Sequence, residues 1–439
     1  MTPYMAGFVG IIAFLFLLAF RMPIAVAMAI TGFWGFSYIT TYTAALRVIS
    51  SDLYTTMASY SLSVIPMFIL MGYFAFQAGI GTKLYNFAYK AFGHMSGGLA
   101  MASIAACAVF GAVCGSATAT AATIGSIAIP EMKKYDYHPS LYTACVAAGG
   151  GMGLLIPPST IFVIYGIQTE QSIARLFLSG IIPGILLAVM YMIMIWLLTR
   201  RNPALGPPKA GPRASFKEVM VSLTGGIIEV GIVFIISIGG LFLGLFTPTE
   251  AGAVGAAGVL LVSIIFGRTL NLQKFNLALA DTTRTSAMIL FLIAGAMIFS
   301  RFMVVSRLPS ALAEFIHGLT VHPVLIMLLI LFVYIFFGTF IEIIPLILIT
   351  VPIFYPIVVN ILGYDPIWFG VIIVVVAAVG VITPPVGVNV FVLKGIASDV
   401  PLETIFSGVW PFVLTAVVLV LILMAFPGIA LFLPNLLLP

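Results

Sequence analysis

Charge is what this 439-residue sequence has least of. Asp, Glu, Lys and Arg make up 7% of it, against 62% hydrophobic residues and a mean hydropathy of +1.24. A soluble domain carries roughly 25% charged residues, and no stretch here is polar enough to fold as a separate soluble domain. Cysteine is almost as scarce. Cys107, Cys114 and Cys145 sit in apolar segments without metal-ligand spacing and read as small packing residues. The four histidines fall near segment ends. Paired carboxylates within a span, Gly-x-Ser-x-Gly and His-Glu-x-x-His are all missing, so nothing supports an intramembrane enzyme. Gly149-Gly-Gly-Met-Gly153 lacks the flanking strand and the following Lys-Ser/Thr of a nucleotide loop, and reads as packing or hinge. The net charge of +5 comes from short loops and bears on orientation, not on nucleic acid. What remains is an integral, all-α polytopic membrane protein with no enzyme activity and no resident cofactor expected.

What is present is a repeated phrase. Gly153-Leu-Leu-Ile156-Pro157-Pro158-Ser159 returns as Gly380-Val-Ile-Thr383-Pro384-Pro385-Val386, 227 residues later, each inside a long apolar segment. Tandem prolines lack N–H groups and clash with the preceding helical turn. In a membrane, backbone freed in this way must be buried or line a cavity, and a matched pair of broken spans points to a transporter binding site. Spans need about 20 apolar residues. Candidates are 5–20, 24–40, 53–80, 139–167, 172–198, 218–246, 250–267, 284–304, 366–394 and 404–432. The stretches 98–130 and 323–360 are too long for one crossing and carry breakers midway, so each is expected to be a re-entrant helical hairpin.

The halves correspond beyond the prolines. At the same offset Thr55-Thr56 meets Thr282-Thr283, Gly111 meets Gly338 and Pro139 meets Pro366; one residue further on, Ser179-Gly180 meets Ser407-Gly408 and Pro183 meets Pro411. An internal duplication follows: a first repeat at 1–199 with its broken helix at 139–167, a Pro-rich linker at 200–217 (Pro203, Pro207, Pro208, Pro212), and a second repeat at 218–439 with its broken helix at 366–394. Ahead of each hairpin lies an amphipathic stretch, clearest at Leu312, Phe315, Ile316 and Leu319, which is expected to lie in the interface plane.

Lys and Arg set the orientation. The run Met1 to Phe20 has no basic residue ahead of it and Arg21 after it, so it reads as a retained span and not as a cleaved signal. With the N-terminus outside, fourteen basic residues fall on the cytoplasmic side, among them Lys83, Lys90, Lys133, Lys134, Arg200, Arg201, Lys209, Arg213, Arg268, Arg284 and Lys394. Only Arg47, Arg175, Arg301 and Arg307 fall outside. The first repeat then makes an odd number of crossings, five, so the second enters from the opposite face. The expected architecture is two inverted-topology repeats, the arrangement that alternating access uses.

Candidate site residues cluster at the hairpins and the breaks. Hairpin one contains Gly115-Ser116-Ala117-Thr118 within a run of small and hydroxyl residues. Two readings stand, helix packing through small residues or a site, and the break opposite (Gly153, Ile156, Pro157, Pro158, Ser159) favours the site. Hairpin two contains Gly338-Thr339, Glu342 and Pro345, facing Gly380, Thr383, Pro384, Pro385, Gly387 and Asn389. Glu342 lies among Ile341, Ile343 and Ile344. Intramembrane carboxylates usually face a cavity or a partner, the alternative being a structural hydrogen bond. Glu229, midway along a span with no motif around it, reads as an inter-helix or inter-subunit contact. Unwound carbonyls and hydroxyls suit Na⁺, and half-helix N-termini suit a carboxylate without any Arg or Lys.

These phrases, together with Gly244-Leu-Phe-Thr247-Pro248-Thr249-Glu250 and Cys114-Gly-Ser-Ala-Thr-Ala-Thr-Ala-Ala-Thr-Ile-Gly125, resemble the large membrane subunit of TRAP (tripartite ATP-independent periplasmic) transporters, the DctM-like family. The resemblance spans essentially the whole chain. It implies a sodium-driven importer of small organic acids such as C4-dicarboxylates, sialic acid or sulfonates, working by an elevator-type motion in the bacterial inner membrane. It also implies two partners, a small four-span membrane subunit and a periplasmic substrate-binding protein. The sequence departs from the family at Ala117-Thr118, where Ser-Pro is usual, and at Ala378, where many members are acidic. A stand-alone sodium–anion symporter is the alternative, since hairpins and broken helices would serve it equally.

Overall fold

The computed structural model describes residues 1–207, 214–223, 227–267, 270–318 and 321–438, and among these the ordered structure is wholly helical. The first half runs α1 (Pro3–Ala19), α2 (Ile24–Ile39), α3 (Tyr42–Met57), α4 (Val64–Gln77), α5 (Ile80–Phe92), α6 (Gly98–Cys114), α7 (Ala117–Lys134), α8 (Pro139–Gly151), α9 (Thr160–Thr169) and α10 (Ile173–Arg201). The second runs α11 (Phe216–Leu223), α12 (Ile227–Phe242), α13 (Pro248–Val262), α14 (Leu272–Ser306), α15 (Leu308–His317), α16 (Pro323–Gly338), α17 (Ile343–Tyr355), α18 (Pro366–Gly380), α19 (Val388–Ile396), α20 (Leu402–Ala425) and α21 (Gly428–Leu437). The linker residues Pro208, Lys209, Pro212 and Arg213, together with Arg268, Leu319 and the side chain of Glu229, lie outside the described residues.

Six of these segments are long and apolar enough to cross a bilayer: 60–77, 173–201, 248–265, 272–306, 343–361 and 402–425. Large apolar side chains such as Phe216, Leu243, Ile235 and Leu329 stand exposed. Such a surface suits hydrocarbon, not water. The buried core runs through α6, α8, α18 and α20.

Local chemistry accounts for the helix starts. Pro139 and Pro366 occupy first-turn positions of α8 and α18, where a missing N–H costs nothing. The Asp365 carboxylate accepts from the Ile367 and Trp368 amides at 2.8 and 3.0 Å, and His138 Nδ1 accepts from the Ser140 amide at 3.3 Å. The Thr247-Pro248-Thr249-Glu250 phrase is a capping box: the Thr247 amide donates to the Glu250 carboxylate at 2.8 Å, and the Glu250 amide donates to Thr247 Oγ1 at 3.3 Å.

Each long apolar stretch folds as a helix pair, α6–α7 joined at Gly115-Ser116 and α16–α17 joined at 339–342. Gly115 takes φ +63°, which lets α6 stop and the chain reverse. Each Pro-Pro pair separates two helices, α8 from α9 and α18 from α19, and both Pro-Pro bonds are cis. The far halves cross over: α9 packs on α17, and α19 packs on α7 and α8. Hydrogen bonds fix this exchange. Gln168 Nε2 donates to the Leu348 carbonyl at 2.9 Å, and Asn389 Nδ2 donates to the Ala147 carbonyl at 2.9 Å.

Some boundaries differ from the sequence expectation. The 53–80 segment is not one span, because α3 ends at Met57 and α4 begins only after a 3₁₀ turn at Tyr60–Ser63. α3 carries Arg47 and Asp52, and the Asp52 carboxylate pairs with Arg301 of α14. The 284–304 span is the apolar part of a 35-residue helix, α14. The 404–432 segment divides at Phe426-Pro427 into α20 and α21, since proline has no N–H to continue the ladder. In the second amphipathic stretch Leu312 and Ile316 pack on the core, while Phe315 stands exposed.

Candidate functional site

Both hairpin tips and both broken helices close on one cavity of about 480 Å³. Hairpin one contributes Cys114, Gly115, Ser116, Ala117, Thr118, Ala119 and Ala122, and hairpin two contributes Glu342, Ile343 and Ile344. The first break gives Leu154, Thr160 and Ile161; the second gives Val381, Val388 and Val392. The wall is completed by Ile69, Tyr73 and Phe76 of α4 and by Thr285, Met288 and Ile289 of α14.

Four helix N-termini therefore meet here, those of α7, α9, α17 and α19. The first amides of a helix have no partner inside it. Among the described residues, the amides of Ala117, Thr118, Thr160, Ile161, Ile343 and Ile344 have no acceptor. Aligned peptide dipoles place partial positive charge at these ends. No Lys, Arg or His lines the wall, and its single ionisable carboxylate is Glu342. Glu342 occupies the N-cap position of α17, yet its side chain accepts no hydrogen bond from that helix, and it is exposed.

The hydroxyls of the wall are engaged with the protein. Ser116 Oγ accepts from the Ala119 amide at 3.4 Å and lies 3.3 Å from Thr118 Oγ1. Thr160 Oγ1 donates to the Gly115 carbonyl at 3.2 Å, tying the first tip to the first break. Tyr73 and Thr285 share a hydrogen bond of 2.9 Å between α4 and α14.

Of the residues expected from sequence, Gly115, Ser116, Ala117, Thr118 and Glu342 line the cavity. The others do not line it. Gly111 of α6 meets Gly153, and Gly338 of α16 meets Gly380, backbone against backbone. The Ser159 hydroxyl donates to the Leu154 carbonyl and accepts from the Phe162 amide, capping α9. Pro157 and Pro158 are buried; Ile156 is half-buried beside Gly184. The Thr339 carbonyl accepts from the Val386 amide at 3.3 Å, linking the second tip to the second break. Thr383 Oγ1 donates to the Val379 carbonyl at 2.7 Å. Pro345 is buried in the first turn of α17, Pro384 is half-buried, and Pro385 is exposed. Gly387 takes φ +56° at the start of α19. Asn389 is fully buried, and its Oδ1 has no hydrogen-bond donor among the described residues. The α4 residues, Met288 and Ile289 lie in plain apolar spans and carry no motif that sequence reading could have seized on; Thr285 follows the repeated Thr282-Thr283 pair, which marked the duplication but not the wall.

Broken helices and paired hairpins around one cavity, in a chain with six helices long and apolar enough to cross a bilayer, are features of a multi-pass membrane transporter. The family described as "Tripartite ATP-independent periplasmic transporter, DctM component" matches residues 11–429, and the chain belongs to it. It is 35% identical over 393 residues to the C4-dicarboxylate TRAP transporter large permease protein DctM of Pseudomonas aeruginosa, covering 89% of this chain and 90% of that one. It is 33% identical over 398 residues to the sialic acid TRAP transporter large permease protein SiaM of Vibrio cholerae, covering 91% and 92%. Among solved structures, the Alcanivorax borkumensis YdaH transporter shares the fold with a TM-score of 0.61 at 17% identity, over 88% of this chain and 89% of that one.

Proposed function

We propose that this chain is the large membrane subunit of a sodium-coupled, binding-protein-dependent importer of small organic acids in a bacterial inner membrane. The observation that carries the reading is the single cavity in which four helix N-termini converge without any basic side chain. Such a site attracts an acid through amides and dipoles. For the coupling ion, Asn389 Oδ1, without a donor among the described residues, is a neutral oxygen of the kind a small hard cation takes, and helices interrupted by tandem prolines offer main-chain carbonyls of the same kind. Among the described residues no cluster of His, Cys, Asp or Glu offers an alternative metal cage.

The order of hairpin, broken helix and long helix recurs in the second half, with α8 and α18 starting 227 residues apart. That recurrence supports inverted repeats moving against a scaffold that includes α4 and α14, in an elevator-type cycle. The two TRAP permeases it resembles support a small membrane subunit and a periplasmic binding protein as partners.

The test is uptake of labelled dicarboxylates, keto acids, sugar acids and sulfonates in parent and deletion strains, with sodium and then potassium outside. Loss of one sodium-dependent uptake supports the reading. Sodium-independent loss removes the coupling, and transport that persists without any co-purifying small subunit supports the stand-alone symporter instead.

Two further outcomes are expected. A cysteine at the exposed Ala204, in the described part of the linker, reacts with impermeant thiol reagents only from the cytoplasm; labelling from outside inverts the topology. Replacing Pro157-Pro158 or Pro384-Pro385 by Ala-Ala restores N–H groups and lets the helix run through the break. Each double variant is expected to weaken sodium dependence of uptake by about tenfold, a change of about 1.4 kcal/mol. A normal sodium curve in either one removes that break from the coupling site.

A further inference from the structure

The cavity wall distinguishes among organic acids, and three features point the same way. The first is charge. Of the two hairpin tips, the first, at Ser116-Ala117-Thr118, presents an N-terminus with no carboxylate or basic side chain beside it. At the second tip the chain places its own carboxylate, Glu342, at the head of α17. That carboxylate caps no amide of α17, but its charge at the head of the helix repels a second anion brought there.

The second feature is the state of the hydroxyls. Tyr73 is bonded to Thr285, Ser116 to the Ala119 amide with Thr118 beside it, and Thr160 to a main-chain carbonyl. These oxygens keep lone pairs and the helix-end amides can donate, but such partners are few against an apolar wall, so a polyhydroxylated ligand leaves most of its hydroxyls unpaired, and unpaired buried polar groups are costly. The third is the remaining wall, which is aliphatic and aromatic: Ile69, Phe76, Ile161, Met288 and Ile289, together with the valines of the second break. Apolar wall gains only from apolar ligand surface.

Building on the transport reading above, we propose that the acid held here is a monocarboxylate with a branched-aliphatic or aromatic body, its carboxylate on the α7 amides and its body against α4 and α14. Dicarboxylates and sugar acids are disfavoured, the former by Glu342 and the latter by how few polar partners the wall offers their hydroxyls.

The test uses the full chain in lipid nanodiscs, purified with any subunit that travels with it, so that a binding protein does not filter the ligands. Thermal stabilisation is measured with 4-methyl-2-oxopentanoate, phenylacetate, succinate and N-acetylneuraminate, in sodium and in potassium. The expected result is stabilisation by the first two, in sodium, at concentrations about tenfold or more below those needed for the others, a gap of about 1.4 kcal/mol or more. Succinate or N-acetylneuraminate acting as well as the apolar acids, still only in sodium, overturns this proposal and leaves the transport reading standing. No stabilisation of a monodisperse sample by any of the four in either salt overturns both. Glu342→Gln, assayed in saturating sodium, is expected to close the gap between succinate and 4-methyl-2-oxopentanoate. An unchanged gap overturns the exclusion of dicarboxylates by Glu342.

Discussion

Glu342→Ala is expected to abolish uptake while leaving insertion and thermal stability unchanged. The two halves of that expectation have separate causes. Among the described residues the Glu342 side chain makes no hydrogen bond and no ion pair, and its main-chain carbonyl, which accepts from the Leu346 amide at 3.1 Å, is kept in the variant, so the replacement deletes no structural bond. It is nonetheless the one carboxylate in the wall of a cavity otherwise lined by neutral groups. An interaction made to a charged group contributes about 1.5–3 kcal/mol, which corresponds to roughly 10–100-fold in the affinity of whatever cation or donor it faces. A transporter that couples two bindings in one cycle loses turnover when either weakens by that much. The measurement pairs uptake with a melting curve on the same preparation. Unchanged uptake removes Glu342 from the site. Lost uptake with a lowered melting temperature reassigns it to structure.

Much of the site was legible because its residues break rules. Two prolines in an apolar run, a carboxylate among isoleucines and a Gly-Ser step amid small residues each violate what a spanning helix prefers, and each proves to sit at a tip or a break. The duplicated spacing placed the helix starts at Pro139 and Pro366 correctly. The remainder of the wall was silent for the opposite reason. Ile69, Tyr73, Met288 and Ile289 satisfy every local preference of a membrane helix, and only packing shows that they face the tips. Asn389 was visible as a polar residue after a break, but its bond to the Ala147 carbonyl crosses 242 residues, and no local pattern encodes it. The boundary between α3 and α4 was missed because the break there falls at Ala58-Ser59, which carries neither proline nor glycine.

The sharpest test of how the tips are held comes from two glycines that occupy equivalent places in sequence but not in space. Gly111 and Gly338 lie 227 residues apart, each at the end of a first hairpin helix facing a glycine of the adjoining break. A Cβ on Gly111 would stand 2.6 Å from the Cα and 2.9 Å from the amide nitrogen of Gly153. Backbone on both sides leaves nothing flexible to yield, so α6 must back away from the break. A Cβ on Gly338 would meet Gly380 Cα and Leu346 Cδ2 at 3.5 Å, an ordinary contact. Both replacements gain helix propensity of about 1 kcal/mol, so the difference between them isolates the clash. Gly111→Ala is expected to cost about 1–3 kcal/mol through overpacking, with a lower melting temperature. Uptake should fall with it, because Gly115 and Ser116 at the cavity are carried on the same helix end. Gly338→Ala, with no clash to offset that gain, is expected to match or exceed the parent's stability, by up to about 1 kcal/mol, and to transport normally. Equal melting temperatures would show that the hairpin repositions freely, and the first tip would then no longer be fixed by the Gly111–Gly153 contact.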